Sequence, residues 1–72
     1  MISADAGRVG HAEECLRTAI SLQPGWGRPH LDLAELLVQS GRVEAGQAEL
    51  AETFQLDPRL EVEAERRGLI KA

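Results

Sequence analysis

Two side chains near the start of the chain have the spacing of two metal ligands on one helical face. His11 and Cys15 are four residues apart, as in helical half-sites for zinc. A closed zinc site needs four ligands, and the second histidine, His30, lies in another predicted helix at a core position. We therefore expect no metal site, and we interpret Cys15 as a small, partly buried apolar residue.

Acidic residues lie close together at 13–14 and again at 61, 63 and 65. Glu61 and Glu65 are like charges four residues apart on a helix, which is typical of a solvated face. No apolar surroundings are predicted that would raise a carboxyl pKa into a catalytic range. Glu63 and Arg67, by contrast, form a favourable pair at the same spacing. These carboxylates predict no acid–base catalysis.

The remaining residue types also predict no reaction centre. The glycines are scattered at predicted helix ends, where they act as caps, and form no phosphate-binding loop. The three serines, Ser3, Ser21 and Ser40, stand in no nucleophile motif. We predict a protein without catalytic residues and without a cofactor.

Composition limits the function classes further. With 72 residues the chain forms one small domain. A net charge of −4 argues against nucleic acid, which is bound by basic patches.

The single cysteine cannot form an internal disulfide, which fits a reducing compartment. No stretch resembles a signal peptide or a membrane span. We expect a soluble cytoplasmic protein that binds neither nucleic acid nor membrane.

Apolar residues recur at helical spacing in four segments. The pattern predicts helices over 9–22, 28–39, 42–55 and 59–69, and no run alternates as a half-buried strand does. The second segment is apolar over more than one face, which predicts a helix between neighbours. The fold class is therefore all-α. The predicted core residues are Val9, Ala12, Leu16, Ile20, Leu33, Leu36, Leu37, Val43, Leu50, Phe54 and Leu56.

Glycine and proline mark the connections between these helices. Pro29 suits a first helical turn, and Gly41 suits a left-handed residue after a helix. Asp57 and Pro58 suit an N-cap and the first residue of the last helix. Connections this short make consecutive helices antiparallel hairpins.

The chain repeats itself with a period of 34 residues. Gly7-Arg8-Val9 returns as Gly41-Arg42-Val43, and Pro24 returns as Pro58. The same offset relates Leu16 to Leu50 and Leu22 to Leu56. A fixed period of this length is typical of stacked helical repeats.

These residues resemble the tetratricopeptide repeat family over nearly the whole chain. The family's second-helix pattern is matched by Ala12, Leu16 and Pro24, and again by Gly46, Leu50 and Pro58. Leu33-Ala34 stands at the family's leucine–glycine pair, and Gly68 stands at the glycine of the next repeat. The chain departs from the family pattern at three residues, His30, Thr53 and Arg67. The resemblance implies a right-handed solenoid that serves as a protein–protein interaction scaffold.

The units within the single domain 1–72 are unequal. We assign 7–25 as the second helix of a partial repeat, 27–58 as a complete repeat, and 59–72 as a trailing helix. The first repeat lacks its leading helix, and a repeat does not bury its apolar face alone. Either the chain belongs to a longer array, or its first helix pairs with a second copy in a homodimer.

The resemblance implies that partners bind the concave face formed by leading helices. The predicted binding residues are Arg28, Leu31, Asp32, Glu35, Val38, Gln39, Glu65 and Leu69, with Val62 and Arg66 on the same face. Asp32 and Glu35 replace the cations with which some relatives hold acidic chaperone tails. This lining suits an amphipathic peptide or helix with a few basic residues.

Two other interpretations of the chain stay open beside this one. The chain is an accessory segment of a larger enzyme or of a secretion or assembly protein, or a small metal or redox module that uses His11 and Cys15.

Trp26 is either an exposed anchor for a partner or a cover for the junction of the first two helices. We favour the cover, because the apolar Leu60 stands one repeat later.

Overall fold

The structure is a computed structural model that describes residues 6–70, with side chains described from Val9 onward. It contains four helices: α1 (Ala6–Leu22), α2 (Gly27–Gln39), α3 (Val43–Leu56) and α4 (Leu60–Arg66). The described part of the chain has no strand. The all-α prediction is confirmed, and the predicted bounds hold within three residues at every helix end.

Helix α2 is the centre of the fold. It packs against α1, α3 and α4, whereas α1 packs against α2 alone. Leu31, Leu33, Ala34 and Leu37 are each at most 1% exposed. Because α2 has neighbours on several sides, its apolar residues extend around more than one face. The prediction of a helix between neighbours is confirmed.

One cluster of buried side chains joins three helices. Leu31 and Ala34 of α2 pack with Leu50 of α3 and Ala64 of α4. Four half-buried apolar residues pack against this cluster: Phe54, Leu60, Leu69 and Ile70. This cluster therefore lies between α2, α3 and α4, and it includes none of the described side chains of α1.

A glycine allows α2 and α3 to approach closely. A Cβ atom at Gly46 would stand 2.5 Å from Val38 Cγ2 and 2.9 Å from the Ala34 carbonyl oxygen. Both distances are too short for any side chain larger than hydrogen. Thr53, about two turns further along the same face of α3, is fully buried and donates its hydroxyl to the Glu49 carbonyl at 2.7 Å.

Two helices end in the same left-handed glycine motif. Gly41 has φ +92°, and the amide of Arg42 after it donates to the Leu37 carbonyl at 2.8 Å. Gly68 has φ +76°, and Leu69 donates to the Ala64 carbonyl at 2.9 Å. These are Schellman bonds that satisfy the last carbonyls of a helix. The role predicted for Gly41 is confirmed.

Gly68 corrects the predicted end of the last helix. The prediction continued this helix to residue 69, with Gly68 inside it. Because the left-handed conformation at Gly68 closes the helix, α4 ends at Arg66. The short helix leaves Leu69 and Ile70 to fold back against the core.

The start of α4 also differs from the prediction. Asp57 is not the N-cap residue, because the helix begins at Leu60 and Pro58 lies in the preceding turn. The Asp57 carboxylate instead accepts a hydrogen bond from the Arg59 amide at 3.1 Å. It stabilises the turn rather than the helix terminus.

The predicted core is confirmed at Leu33, Leu37 and Leu50, and it is wrong at Val43. The predicted core residues Leu36, Phe54 and Leu56 are half-buried. Val43 is 46% exposed, because it is the first residue of α3 and lies beyond the reach of α2. The predicted core residues of α1 are half-buried, since only α2 covers that helix. Within residues 6–70, no helix is both long enough and apolar enough to cross a membrane.

Candidate functional site

The predicted binding residues fall into three groups by exposure. Arg28, Gln39 and Glu65 are exposed, and Asp32 and Glu35 are half-buried at the surface of α2. Leu31 is fully buried in the core, so the expectation that it contacts a partner is corrected. Val38 and Leu69 are half-buried, the first against Gly46 and the second against the core.

Arg67 gathers carboxylates from two helices at one point on this face. Its Nη1 atom donates to Asp32 Oδ1 at 2.8 Å and to Glu35 Oε1 at 2.9 Å. Its Nε atom donates to Glu63 Oε2 at 3.3 Å. The hydrogen bond that Arg67 donates to Asp32, followed by the one that it donates to Glu63, raises the pKa of Arg67 above its usual value. We call Asp32, Glu35, Glu63 and Arg67 the acidic cluster.

The acidic cluster keeps excess negative charge. One guanidinium faces three carboxylates, whose side chains remain 42%, 31% and 36% exposed at Asp32, Glu35 and Glu63. The predicted pair of Glu63 and Arg67 is confirmed. Sequence reasoning missed the role of Arg67 toward α2, because residues 32 and 35 lie far from it in the chain. The only sign of this role in the sequence was Arg67 itself, a charged residue at a position where the repeat pattern has an apolar one.

A second polar contact ties α1 to the turn between α2 and α3. Glu13 accepts hydrogen bonds from Arg42 across this boundary and from Arg17 on its own helix, the latter at 2.8 Å. These bonds, Arg42 first, lower the pKa of Glu13 below its usual value. The contact lies at the surface, and its role is to hold α1 in place.

An open pocket lies between α1 and α2. It has a volume of about 250 Å³ and is lined by Leu16, Ala19, Trp26, Arg28, Pro29 and Asp32. Trp26 lines this pocket at the helix junction, as expected, but it is 52% exposed, so it covers the junction only in part.

The two residues with metal-ligand spacing are adjacent but isolated. Cys15 Sγ lies 3.8 Å from His11 Nε2, and both residues are exposed. The interpretation of Cys15 as partly buried is wrong, because it faces away from α2. The described residues contain no group of three or more side chains that could hold a metal ion.

His30 occupies its predicted core position as part of a polar pair. It is 7% exposed, and its Nδ1 lies 2.9 Å from Glu49 Oε1 on α3. Its Nε2 lies 3.4 Å from the Pro24 carbonyl oxygen in the α1–α2 connection. Because the ring bridges three segments, the pair has a structural role in joining α2 and α3.

Comparisons with protein-family models, with curated proteins and with solved structures found no match. The function must therefore be inferred from the geometry of this chain itself.

Proposed function

We propose that the chain is a non-catalytic protein-interaction module with tetratricopeptide-type architecture. In this proposal α1 to α4 stack as a short right-handed solenoid, with α2 and α4 as leading helices. The 34-residue repeat supports it, as does the packing of each helix on its neighbours in sequence. The contact between α2 and α4 is consistent with two leading helices that share one face.

The observation that carries the proposal is the acidic cluster on that face. Here three carboxylates share one guanidinium and remain partly exposed. Glu65 adds a further negative charge on α4, the helix that carries Glu63. A surface with this excess of negative charge favours a basic partner segment.

Apolar residues beside the cluster define the rest of the partner. Val62 is 57% exposed on α4, and Leu69, seven residues further along the chain, is half-buried. A peptide or helix of a partner protein would pack apolar side chains there and direct lysine or arginine toward Asp32 and Glu35. This combination is the recognition of an amphipathic segment by a groove.

We also propose that the protein is located in the cytoplasm. The cytoplasm is supported by the single cysteine, Cys15, which is exposed and would be kept reduced there.

The test compares the proteins that three baits capture. Each of the two variant baits differs from the unaltered chain at one position. The baits are the unaltered chain, Glu35→Lys in the acidic cluster, and Glu52→Lys on the exposed side of α3. Both variants change net charge equally, so non-specific charge effects cancel. Captured proteins are identified by mass spectrometry, and the affinity of the enriched segment is then measured at low and high salt.

We expect Glu35→Lys to lose a partner that Glu52→Lys retains. We expect affinity to fall as salt rises, because screening weakens attraction between exposed charges. Equal capture by both variants, with circular dichroism showing both folded, would contradict the proposal.

A further inference from the structure

A buried histidine ring meets an oxygen acceptor at each of its two nitrogens. His30 lies on α2 and is 7% exposed. Its Nδ1 lies 2.9 Å from Glu49 Oε1 on α3, and its Nε2 lies 3.4 Å from the Pro24 carbonyl oxygen in the α1–α2 connection. A carbonyl oxygen only accepts hydrogen bonds, and so does an ionised carboxylate. The number of protons on the ring and the carboxyl group therefore decides which of the two hydrogen bonds can form.

One additional proton on the pair of His30 and Glu49 completes both hydrogen bonds. A neutral imidazole has a single N–H. If that N–H is on Nδ1 and donates to ionised Glu49, the lone pair of Nε2 faces the Pro24 carbonyl oxygen, and two acceptors are opposed. With one more proton, on the ring or on the carboxyl group, Nε2 donates to Pro24 and the contact with Glu49 is kept.

Burial favours the same protonation state. The side chains of His30 and Glu49 are only 9% and 24% exposed. Without the additional proton the pair has a net negative charge, and with it the pair is neutral as a whole. A charge without a neutralising partner is costly where water is largely excluded. The hydrogen bonds and the burial therefore act in the same direction.

The charged side chains around the pair leave this balance unaltered. Among the described residues, Glu49 is the only charged side chain that hydrogen-bonds to the ring. The α1–α2 connection, residues 23–26, has no charged side chain. The acids of α2 pair with Arg67 of α4. On α1, Glu13 pairs with Arg17 and Arg42.

We infer that proton binding by the pair of His30 and Glu49 fastens the α1–α2 connection to α2 and α3. With the additional proton, the ring joins Glu49 to the Pro24 carbonyl. When the proton is lost, the bond to Pro24 is lost and the connection loosens. The junction is therefore tighter at low pH, and it loosens as pH rises through the range in which histidine titrates, about pH 5–8. This inference goes beyond the proposed function, because neither residue belongs to the acidic cluster.

The α1–α2 connection carries a natural reporter of this change. Trp26 stands two residues after Pro24, and its amide donates to the Gln23 carbonyl at 3.1 Å in the same turn. Trp26 also lines the open pocket between α1 and α2. A connection that is held less firmly should therefore alter both the surroundings of the indole ring and the shape of this pocket.

The experiment follows the emission wavelength of Trp26 in the full chain as a function of pH. The chain has one tryptophan and no tyrosine, so the emission comes from this site alone. As pH rises from about 5 to about 8, we expect one transition to longer wavelength, because the loosened connection admits water. Nitrogen-15 NMR of the His30 ring should show a proton on Nε2 below this transition and none above it.

The two histidines of the chain supply a matched pair of variants. His11 is exposed on α1, whereas His30 is buried. His30→Gln should abolish the emission transition, and His11→Gln should retain it. In urea denaturation at the two ends of the pH range, the folded-to-unfolded ratio of the unaltered chain should fall further than that of His30→Gln. We expect the difference to be about twofold to tenfold, the effect of one hydrogen bond.

A second pair of variants keeps the histidine in place. Glu49→Gln removes the charge that the additional proton neutralises, so the emission transition should move to lower pH. Glu52→Gln makes the same change at an exposed position of α3, and it should leave the transition where it is. Circular dichroism confirms that each variant is folded.

Three results would overturn the inference. One is a Trp26 emission that stays constant while Nε2 of His30 loses its proton, because the connection would then not respond. Another is the same transition in the unaltered chain and in folded His30→Gln. The third, which holds even if His30→Gln does not fold, is a transition at the same pH in Glu49→Gln and Glu52→Gln. None of these results alters the comparison of Glu35→Lys with Glu52→Lys.

Discussion

Helices α1 and α3 carry the same apolar pattern in different surroundings. Leu16 and Leu50 are equivalent in the repeat, yet Leu16 is half-buried and Leu50 is 3% exposed. Near the helix ends, Leu22 is 77% exposed and its equivalent Leu56 is half-buried. Helix α3 packs against α2 and α4, whereas α1 packs against α2 alone. Neighbouring helices, rather than the pattern itself, determine how much of each stripe becomes core.

The closeness of packing differs in the same way. Gly46 allows α2 to approach α3 so closely that a Cβ atom would overlap Val38. Its equivalent in α1 is Ala12, which is half-buried. In α1, polar contacts hold the helix instead, through Glu13 and Arg42. Stability should therefore be concentrated around α3 and lower at α1.

The largest expected effect is at Leu50. Leu50→Ala removes a fully packed side chain, and it should lower the free energy of unfolding by about 2–5 kcal/mol. A chain of this size has only several kcal/mol in total, so the variant should be largely unfolded. Urea denaturation followed by circular dichroism measures the change.

Leu16→Ala is the matched change in α1. Because Leu16 is only half-buried, we expect a smaller loss of about 1 kcal/mol. Equal losses at both positions would contradict the unequal cover of the two helices.

Gly46→Ala should have an intermediate effect. The added methyl group meets Val38 Cγ2 and the Ala34 carbonyl, and overpacking of this kind costs about 1–3 kcal/mol. Gly10→Ala is the control in α1, where a Cβ atom meets nothing within 4 Å. It should stabilise the chain by up to about 1 kcal/mol, since alanine is the better helix former. Thermal unfolding should show shifts of opposite sign, and the same sign for both would refute the close approach.

The smallest expected effect is a change in the pKa of the Glu13 carboxyl group. Its hydrogen bonds with Arg42 and Arg17 lower its pKa in the folded chain. The stability they contribute is therefore present above the unfolded pKa and is lost as pH falls through the folded pKa. Arg42→Ala should raise the pKa of Glu13 toward its usual value, as followed by NMR titration of the carboxyl carbon.

The control for this titration is at a separate pair. Arg59→Ala removes the partner that lowers the pKa of Asp57, and it should leave Glu13 unchanged. A Glu13 pKa that does not move in Arg42→Ala would show that Arg42 does not hold α1.

Local pattern was sufficient to predict much of the fold. Helical spacing located all four helices, and the mixed faces of α2 indicated its central place. The left-handed role of Gly41 followed from its position after an apolar run. These features depend on residues close together in sequence, so periodicity and turn chemistry determine them.

One error was local. Gly68 was interpreted as a helix-interior residue by analogy with Ala34, yet it ends α4 by the same backbone motif as Gly41. Other features depend on tertiary contacts. The contacts of Arg67 with Asp32 and Glu35 join residues more than thirty positions apart, so no local pattern encodes them.

Hydrogen exchange of backbone amides tests the central claim most directly. The account predicts that amides of α3 around Leu50 exchange only through global unfolding, while those of α1 around Leu16 exchange faster through local opening. Equal protection of α1 and α3 in the monomer would contradict the account.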